Sequence, residues 1–389
     1  FMKGLSFINE LKPRISFGIT GNLPQSAYEW TTKFGITNEY ASQIAFMSNY
    51  SGNPNLSWEE TATLDYGLDI RLFDRVGITF DGYSKKVKNL IYLRHLSAVT
   101  GFNRQTANDG KLKNTGFEFT VTPEIIRSKN LYWDVSFNLG YNKNEVTYLP
   151  DGDDLITQAT AVGYPLLNWY MKEWAGVDAM TGTPLWFKVD ENGQKTATGD
   201  WNKATDVLLD ASASPKFTGG ISTNLSWKGF SLNANFIFSA GAKIYNGMRA
   251  GSLDRDASRP TQPPMRLAKG WSRWEKPGDI ATHPQLIEGG NNDASKQSTR
   301  YLENGDFFKL KSLSISYSLP DRWIKTVGLK AARINVGGEN LFTLTKFSGD
   351  DPEILLSTRF KGGTSVSDGS KTQLYPTVRR FTLGVNLNF

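Results

Sequence analysis

The chain has 389 residues, with 44 Lys and Arg against 38 Asp and Glu, which gives a formal net charge of +6. These charges are spread over the whole length, whereas a nucleic-acid-binding protein concentrates its cations in a stripe or tail, so nucleic acid is not an expected partner. Cysteine is absent, which excludes a disulfide framework, a thiolate metal site and a cysteine nucleophile. The sequence also lacks an apolar run of about 18 residues that could form a transmembrane helix.

Alternation of apolar and polar residues is the dominant pattern and predicts β-strands. It is clearest where Phe230, Leu232, Ala234, Phe236 and Phe238 alternate with polar neighbours. In chain order, we predict ten strands near residues 11–20, 57–73, 76–91, 114–127, 130–144, 216–227, 229–241, 306–319, 329–343 and 378–389. Many exceed the ~5–6 residues usual in globular sheets and suit the ~9–11 residues that a tilted strand needs to cross a bilayer. The break in parity between Leu310 and Leu313 predicts a β-bulge.

Short and long connections alternate between these strands. Tight turns are predicted at Asp74-Arg75, at Ser128-Lys129-Asn130 and at Lys228-Gly229, and a short connection with a helical turn runs from Pro320 to Gly328. The long connections are residues 21–56, 92–113, 145–215, 242–305 and 344–377. Outer-membrane barrels have short periplasmic turns and long extracellular loops, and compact soluble domains rarely have connections of this length.

The last predicted strand has apolar residues at every second position and ends on an aromatic residue, Phe389. Such a strand is suited to pairing within a closed sheet, where no edge faces lipid. The predicted fold is therefore all-β, a transmembrane antiparallel β-barrel, and the chain would be its C-terminal portion of about ten strands. The opening Phe1-Met2-Lys3-Gly4 does not resemble a signal peptide, so we expect a fragment or a processed form.

Several motifs resemble the SusC/RagA-type family of TonB-linked outer-membrane transporters of Bacteroidetes. The most specific is the run from Asn340 to Glu353, NLFTLTKFSGDDPE, which follows a strand and opens a long loop. Weaker matches recur in the family's order at Ile19–Asn22, Lys113–Glu118, Gly176–Trp186, Pro215–Gly220 and Arg273–Asp279. The resemblance implies that residues 1–389 form the C-terminal part of the barrel. The N-terminal plug, the TonB box and the first barrel strands have no counterpart in the sequence.

The resemblance also implies a function, which is import of oligomeric glycans or peptides across the outer membrane. Its implied partners are a SusD-like surface lipoprotein as a lid, TonB through the missing N-terminal part, and the lipid bilayer; a dimer of transporter–lipoprotein pairs is a further assembly. Two alternatives are a passive outer-membrane barrel or adhesin and a soluble β-sandwich carbohydrate-binding protein. A plug and TonB box would argue against the first alternative, and the alternation of loop lengths argues against the second.

Enzyme motifs are absent from the sequence. The two histidines, His95 and His283, are too far apart for a zinc motif, and neither a nucleophile elbow nor a phosphate loop occurs. We therefore expect no enzyme, no catalytic residue and no cofactor. Asp151, Asp153 and Asp154 are the candidate oxygen ligands for a calcium ion, although a turn rich in Asp and Gly needs no metal.

Tryptophan is frequent in the long connections, where an exposed ring could stack on a sugar or contact a protein partner. The candidates for ligand or lid contact are Trp30, Trp169, Trp174, Trp186, Trp201, Trp271 and Trp274. The alternative is that these rings pack the loops together. The candidates for facing the lumen or plug are Asp65, Asp69, Glu118, Asp134 and Asn138. Residues Asp190 to Gly193 predict a hairpin turn between two short loop strands, Leu185–Val189 and Gln194–Thr198.

Overall fold

The structure is a computed structural model that describes residues 4–24, 28–40, 43–48, 50–102, 104–150, 161–254, 267–287, 293–353 and 377–389. Ten long strands dominate it: β1 Ile8–Asn22, β5 Glu59–Leu72, β6 Val76–His95, β7 Arg104–Arg127, β8 Leu131–Tyr148, β14 Phe217–Trp227, β15 Phe230–Ala240, β18 Phe307–Ser318, β19 Ala331–Thr345 and β20 Arg380–Asn388. All ten predicted strands are thereby confirmed, and the chain is all-β.

Within the described residues, the connections contain ten shorter strands: β2 Gly35–Tyr40, β3 Gln43–Met47, β4 Tyr50–Ser51, β9 Asn168–Lys172, β10 Trp174–Val177, β11 Pro184–Val189, β12 Lys195–Thr198, β13 Asp206–Ser212, β16 Lys243–Tyr245 and β17 Leu302–Asn304. Helical turns are short: α1 Asp321–Ile324, the 3-10 turns Ala98–Thr100, Trp201–Lys203, Thr299–Tyr301 and Lys325–Val327, and a π-helical turn Arg249–Leu253. None of these helical segments, within the described residues, is long and apolar enough to cross a membrane.

The chain divides into two compact units. Unit 1 contains Phe1–Val121, Gly140–Leu155 and Thr160–Leu166. Its strands are hydrogen-bonded in the order β1-β5-β6-β7-β8, and the short β4 pairs in parallel with the start of β7. The β1–β5 and β5–β6 ladders are antiparallel, with Ser16 opposite Asp65 and Asp65 opposite Tyr83. Unit 1 is thus an up-and-down sheet whose strand order follows the chain.

Unit 2 contains Thr122–Leu139, Ile156–Ala159 and Leu167–Phe389. It takes the remaining residues of β7 and β8 and continues through β14, β15, β18, β19 and β20. The β14–β15 hairpin turns at Lys228-Gly229, where φ is 45° and 90°. Two successive positive φ values fit the right-handed strand twist of a two-residue hairpin, and glycine adopts the second at little cost. This tight turn was predicted from the sequence.

Three further predictions of local structure are confirmed in unit 2. The β18–β19 register shifts between Leu310 and Ser312, so the predicted bulge lies at this point of β18. The predicted loop hairpin is formed by β11 and β12, with Val189 paired to Lys195. The turn between β18 and β19 contains α1, as predicted, and ends at Gly328 with φ of 77°.

The predicted long connection 92–113 is wrong in extent. Strand β6 continues to His95 and β7 begins at Arg104, so only residues 96–103 connect them. The reason is a small buried core at this end of unit 1: Leu90 and Leu112 pack with Val87, Val146 and Leu149. These few apolar residues lie among polar ones, so the sequence pattern does not predict the cluster. Packing within the cluster stabilises β6 and β7 beyond their predicted ends.

Candidate functional site

The candidate residues fall on two kinds of surface: the polar face of the long strands and the long connections between them. In unit 1, Arg14 on β1 donates to both carboxylate oxygens of Asp69 on β5, at 3.0 Å each, and lies 2.8 Å from the carboxylate of Asp81 on β6. Gly67 leaves the space for this group, since a Cβ there would collide with Asp81 and Arg14. Three strands are thus joined by one guanidinium on their polar face.

The other lumen candidates lie on the same kind of face. Asp65 is half-buried between Ser16 and Tyr83 in the register, and Glu118 is exposed on β7. In unit 2, the Asp134 side chain is buried and accepts a 2.9 Å hydrogen bond from Asn224. Asn138 is exposed on β8. These placements agree with a polar strand face, and the role of each residue in a lumen stays a prediction.

The opposite face of the long strands is apolar; its side chains are exposed on β1 and β20, and those of Phe236 and Phe238 on β15 are half-buried. On β1, Ile15, Phe17 and Ile19 are 79%, 69% and 64% exposed, and on β20, Leu383 and Val385 are 75% and 59% exposed. The buried hydrophobic clusters of the described residues lie instead at strand ends and in the connections. A water-soluble sandwich would bury such a face against a second sheet.

The connections of unit 2 form a packed structure, here called the loop assembly, made of residues 167–216, 242–254, 267–287 and 293–306. Its core is Trp169, which is 1% exposed, packed near Tyr245 and Tyr301. The Trp169 indole nitrogen donates a 2.9 Å hydrogen bond to the carbonyl oxygen of Lys243. Burial raises the pKa of the Tyr301 phenol, whose hydroxyl donates to the carbonyl of Ala294. The assembly therefore has a hydrophobic core of its own.

Four of the other candidate tryptophans also pack inside the loop assembly or brace it. Trp186 is 0% exposed and meets Trp174 edge-on, with ring centroids 5.6 Å apart. The Trp201 indole donates to the carbonyl of Gln297, and the Trp274 indole donates to the carbonyl of Ala179. These contacts support the alternative that the rings hold the loops together. Ligand contact through the half-exposed members stays a prediction.

A buried group of charges, here called the charge centre, joins three segments of the loop assembly. It consists of the charged residues Arg249, Asp254, Arg300 and Glu303, and the imidazole of His283 lies beside it. The Arg249 guanidinium lies 3.0 Å from the Asp254 carboxylate and 3.2 Å from Glu303, and Arg300 lies 3.6 Å from Asp254. Because two cations face two carboxylates, the Coulomb attraction offsets part of the desolvation of each ion.

Aromatic rings enclose the charge centre. The Arg249 guanidinium lies 4.2 Å from the centroid of Trp271, and Arg300 lies 4.9 Å from that of Trp174. His283 is fully buried, with its ring centroid 4.9 Å from that of Trp271 and its Nδ1 2.9 Å from the hydroxyl of Thr282. Such cation–π contacts stabilise guanidinium groups that are removed from water.

Trp30 differs from the other candidate tryptophans, because it lies in unit 1 and is 54% exposed. Its neighbours Tyr28 and Phe34 are also exposed, at 65% and 69%. The Trp30 backbone packs closely on Gly52, whose amide donates to the hydroxyl of Thr32. Trp30 is therefore the candidate whose ring is most available for contact with another molecule.

The run from Asn340 to Glu353 is attached to β18 by a buried ion pair. Lys309 is 1% exposed in its side chain and lies 2.6 Å from the Asp351 carboxylate and 2.8 Å from that of Glu353. Burial is the largest single influence and opposes ionisation of both carboxylates, but the hydrogen bonds and charges of Lys309 and the other nearby donors together outweigh it and hold the pKa of Asp351 and of Glu353 below their usual values. We call Lys309, Lys311, Asp351 and Glu353 the β18 clamp.

Sequence reasoning missed both the charge centre and the β18 clamp. For the clamp, a signal existed, because Lys309 and Lys311 alternate at the start of a strand and acidic residues follow the next strand. For the charge centre, no local signal existed, since its members are spread between residues 249 and 303 without a spacing pattern.

The calcium candidates Asp151, Asp153 and Asp154 lie outside the described residues. Within the described part of the chain, no group of three His, Cys, Asp or Glu side chains could hold a metal ion.

Comparison with known proteins gives a consistent result. The model of a family described as TonB dependent receptor-like, beta-barrel matches residues 4–341. The chain is 30% identical over 421 residues to TonB-dependent receptor P3 of Formosa agariphila, covering 100% of this chain and 40% of that protein. It is 28% identical to TonB-dependent receptor SusC of Bacteroides thetaiotaomicron, of which it covers 38%.

Solved structures agree with these relatives. The chain is 28% identical to a chain in the structure of the RagAB peptide transporter, with a TM-score of 0.78. That match covers 98% of this chain and 41% of the other. The chain therefore spans about two fifths of the length of the relatives that it matches.

Proposed function

The chain belongs to the TonB-dependent receptor-like β-barrel family of outer-membrane proteins, and from this premise we propose that it forms barrel wall and extracellular loops of a nutrient importer. The cargo would be an oligomeric nutrient, a glycan or a peptide. A SusD-like surface lipoprotein would cover the long loops. The plug and the TonB box would belong to a longer polypeptide of which this chain is the C-terminal part, and they would couple import to TonB.

The observation that carries the proposal is the contrast between the two faces of the long strands. One face exposes apolar side chains such as Ile15 and Leu383, while the other carries ion pairs such as Arg14 with Asp69. Lipid is the medium that favours the first face, and a water-filled or plugged lumen favours the second. A passive barrel would share this contrast, so the coupling to TonB rests on family membership.

Contact with a lipoprotein is supported by an exposed apolar tip on the loop assembly. Met180, Ile280 and Leu286 are 66%, 96% and 55% exposed. Backbone hydrogen bonds from Gly278 to Ala179 and from Gln285 to Gly182 hold their segments side by side. A rigid support with protruding apolar side chains suits a protein partner, because little conformational entropy is lost on binding.

The cargo class is supported by the relatives alone. The RagAB relative is named as a peptide transporter, and the resemblance to SusC-type proteins also admits glycans. The exposed aromatic residues around Trp30 can stack on a sugar or pack on a peptide. We propose no enzymatic activity, and we assign no residue a catalytic role.

The proposal is tested with the full-length protein in its native outer membrane. We expect that the tagged protein is extracted only with detergent, that it co-purifies with one surface lipoprotein, and that cells lacking it fail to grow on one oligomeric nutrient but grow on its monomers. Ile280→Asp should weaken the co-purification, and Lys269→Asp, at an exposed polar position nearby in sequence, serves as the control.

Three outcomes would overturn the proposal. Extraction without detergent would remove the barrel assignment. Unchanged growth of the deletion strain on every oligomer that the parent strain uses would remove the import function. A TonB-deficient strain that imports the nutrient normally would leave only a passive barrel.

A further inference from the structure

Four lysines lie together on one face of unit 1. They belong to the neighbouring strands β6 and β7 and are here called the lysine row: Lys86, Lys88, Lys111 and Lys113. On each strand a buried apolar residue separates the two lysines, Val87 on β6 and Leu112 on β7, and these two side chains belong to the same hydrophobic cluster. Because successive side chains of a strand point to opposite faces, the lysine row lies on the other face of the sheet, and its four residues are exposed.

The strand register places the lysine row on the apolar face of the sheet. Tyr66 on β5 is paired with Ile15 on β1. Ala62, earlier on β5, is paired with Ile19 on β1 and with Lys86 on β6. Residues opposite each other in an antiparallel ladder share a face, and so do alternate residues of one strand. Lys86 therefore lies on the same face as the exposed side chains of Ile15, Ile19 and Tyr66.

Three aromatic rings on this face join β6, β7 and β8 beside the lysine row. Phe117 on β7 stacks with Phe80 on β6 and with Tyr141 on β8, with ring centroids 6.2 and 5.6 Å apart. Lys113 lies four residues before Phe117, and Lys86 lies six residues after Phe80, so even spacing keeps both lysines on the face of the rings. Aromatic residues beside basic ones are typical of the headgroup level of a membrane.

The distance of the lysine row from the nearest short turn matches the thickness of a membrane. The turn at Asp74-Arg75 joins β5 to β6, and Lys86 follows Val76, the first residue of β6, by ten residues. A tilted strand needs ~9–11 residues to cross a bilayer. Since the short turns of an outer-membrane barrel lie on the periplasmic side, the lysine row lies at the extracellular boundary of the lipid.

Within the described residues, none of the four ammonium groups of the lysine row forms an ion pair. Lys111 lies 4.9 Å from the ring centroid of Tyr148. Two carboxylates are close in the sheet: Glu60 is opposite Lys88 in the ladder without reaching ion-pair distance, and Glu145 pairs with a lysine of β8 at 2.7 Å. Like charges on neighbouring strands repel one another, so an anion that lies between them would stabilise this part of the sheet.

The lipid on the extracellular side offers such an anion. In the outer leaflet of an outer membrane, the anionic lipids are glycolipids whose sugars carry phosphate groups. Neighbouring strands are ~4.8 Å apart and alternate residues of a strand are ~6.8 Å apart, so the four lysines form a compact patch that suits a headgroup with several acceptor oxygens. Basic residues at the membrane surface attract anionic headgroups, while the acyl chains cover the apolar residues of the same face.

We propose that the lysine row binds the phosphate groups of a glycolipid headgroup in the outer leaflet. The ammonium groups donate hydrogen bonds to the phosphate oxygens, and the acyl chains of the same lipid lie along Tyr66, Phe80 and Phe117. The charged contacts and the apolar contacts thus share one face of the sheet. The inference rests on the outer-membrane orientation in the proposed function and is independent of cargo and of the lid protein.

The test uses the full-length protein, purified in detergent, freed of endogenous lipid and titrated with one lipid at a time before native mass spectrometry. The probes are lipid A with its phosphate groups, the same lipid A after enzymatic removal of the phosphates, and phosphatidylglycerol. We expect phosphorylated lipid A to bind more tightly than the other two. Lys86→Gln with Lys113→Gln should raise its dissociation constant by about tenfold or more, because each basic residue near an anionic headgroup adds several-fold to the affinity.

Lys85→Gln is the matched control for the single variant Lys86→Gln. Lys85 is exposed and adjacent on β6, but it is paired with Thr63 and therefore lies on the opposite, polar face. Lys86→Gln should raise the dissociation constant of phosphorylated lipid A by about fivefold, and Lys85→Gln by less than about twofold. Equal changes in the two single variants would overturn the site and leave only unspecific attraction. Equal affinity for dephosphorylated lipid A or for phosphatidylglycerol would overturn the glycolipid phosphate as ligand.

Folding of each variant is checked by the heat-dependent gel mobility of the barrel, and import is measured in cells that produce the same protein. Normal import with lipid binding that does not depend on the lysine row would overturn the site and leave the proposed function intact. Absence of import by the wild-type protein, with lipid binding that depends on the lysine row, would overturn the proposed function and support the site.

Discussion

Lys309 and Asp351, 42 residues apart, form a 2.6 Å ion pair that is 1% and 6% exposed. The pair attaches the start of the connection that follows β19 to the first residues of β18. It lies where a strand meets a loop, so it can be tested without changing the membrane-spanning surface.

Replacement of Lys309 tests the β18 clamp. Lys309→Met leaves the Asp351 carboxylate buried without its cation, which destabilises by about 3–5 kcal/mol where a buried pair is broken. Lys311→Met is the control, because Lys311 is 44% exposed and its ion pair with Glu353 is worth at most about 1 kcal/mol. Thermal unfolding and proteolysis of the segment after β19 measure both effects. Equal shifts for the two variants would show that burial of the pair is unimportant.

The same clamp predicts a pH dependence. Since the pKa values of Asp351 and Glu353 are lowered in the folded state, their stabilising contribution is present above the unfolded values, about 4, and is lost as the pH falls through the folded values. The protection of amides near residues 346–353, expressed relative to their intrinsic exchange rate at each pH, should therefore be high at pH 7 and should fall as the pH drops below the unfolded values. In Lys309→Met this pH dependence should be much smaller, and an unchanged dependence would assign the titration to other groups.

Substitution of Trp169 tests whether this ring holds the core of the loop assembly together. Trp169→Ala should destabilise the assembly by about 3–5 kcal/mol, because a large buried ring is removed and a cavity is left. Trp169→Phe keeps most of the packing and loses the hydrogen bond to Lys243, which is worth about 1 kcal/mol. Protection from proteolysis between residues 167 and 216 provides the measurement. An alanine variant as protected as wild type would mean that the ring does not hold the assembly together.

Substitution of Trp30 tests the prediction that its ring contacts the ligand or the lid protein. Trp30→Ala removes a ring that is 54% exposed, so the melting temperature should stay nearly unchanged. If the ring contacts cargo or lid, the dissociation constant should rise by about tenfold, as expected for an exposed aromatic contact of ~1–2 kcal/mol. Titration of cargo and of purified lipoprotein separates the two partners. Wild-type affinity for both would exclude the contact.

Substitution of Gly67 tests whether the space at this glycine is needed for the Arg14 ion pairs on the polar face of unit 1. Gly67→Ala should push Arg14 away from Asp69 and Asp81, with a loss of about 1 kcal/mol or less, because the pair is partly exposed and screened. Gly18→Ala in the neighbouring strand is the control, since a Cβ there would meet no atom within 4 Å. Chemical unfolding from lipid vesicles compares them. A larger loss for Gly18→Ala would contradict the role of the space at Gly67.

The strand pattern could be predicted from the sequence because apolar and polar residues alternate along most of each long strand, as at Phe230–Phe238, and because each long strand pairs with the next one along the chain. The bulge near Leu310 and the hairpin of β11 and β12 followed from equally local signals. The alternation of apolar and polar residues depends only on consecutive residues, so it predicts the two faces of each strand and the turns between strands.

Contacts between distant segments could not be predicted in this way. The pairing of Lys243 with Asn304 and the convergence of Arg249, Asp254 and Arg300 depend on how separate loops fold back on one another. The burial of Trp169 and Trp186 had the same origin. The number of tryptophans in the loops predicted abundant aromatic side chains. Which of these rings stay exposed and which are buried depends on how the loops fold.

Asp351 is held by Lys309, so the connection that follows β19 leaves the sheet from a fixed point at the start of β18. A connection that leaves a sheet from a fixed point can change in length with little effect on the strands, because doubling the length of a closed loop adds only about 0.6 kcal/mol of entropic penalty. Sequence change in the connection beyond Glu353 is therefore expected to leave the register of β18, β19 and β20 unaltered.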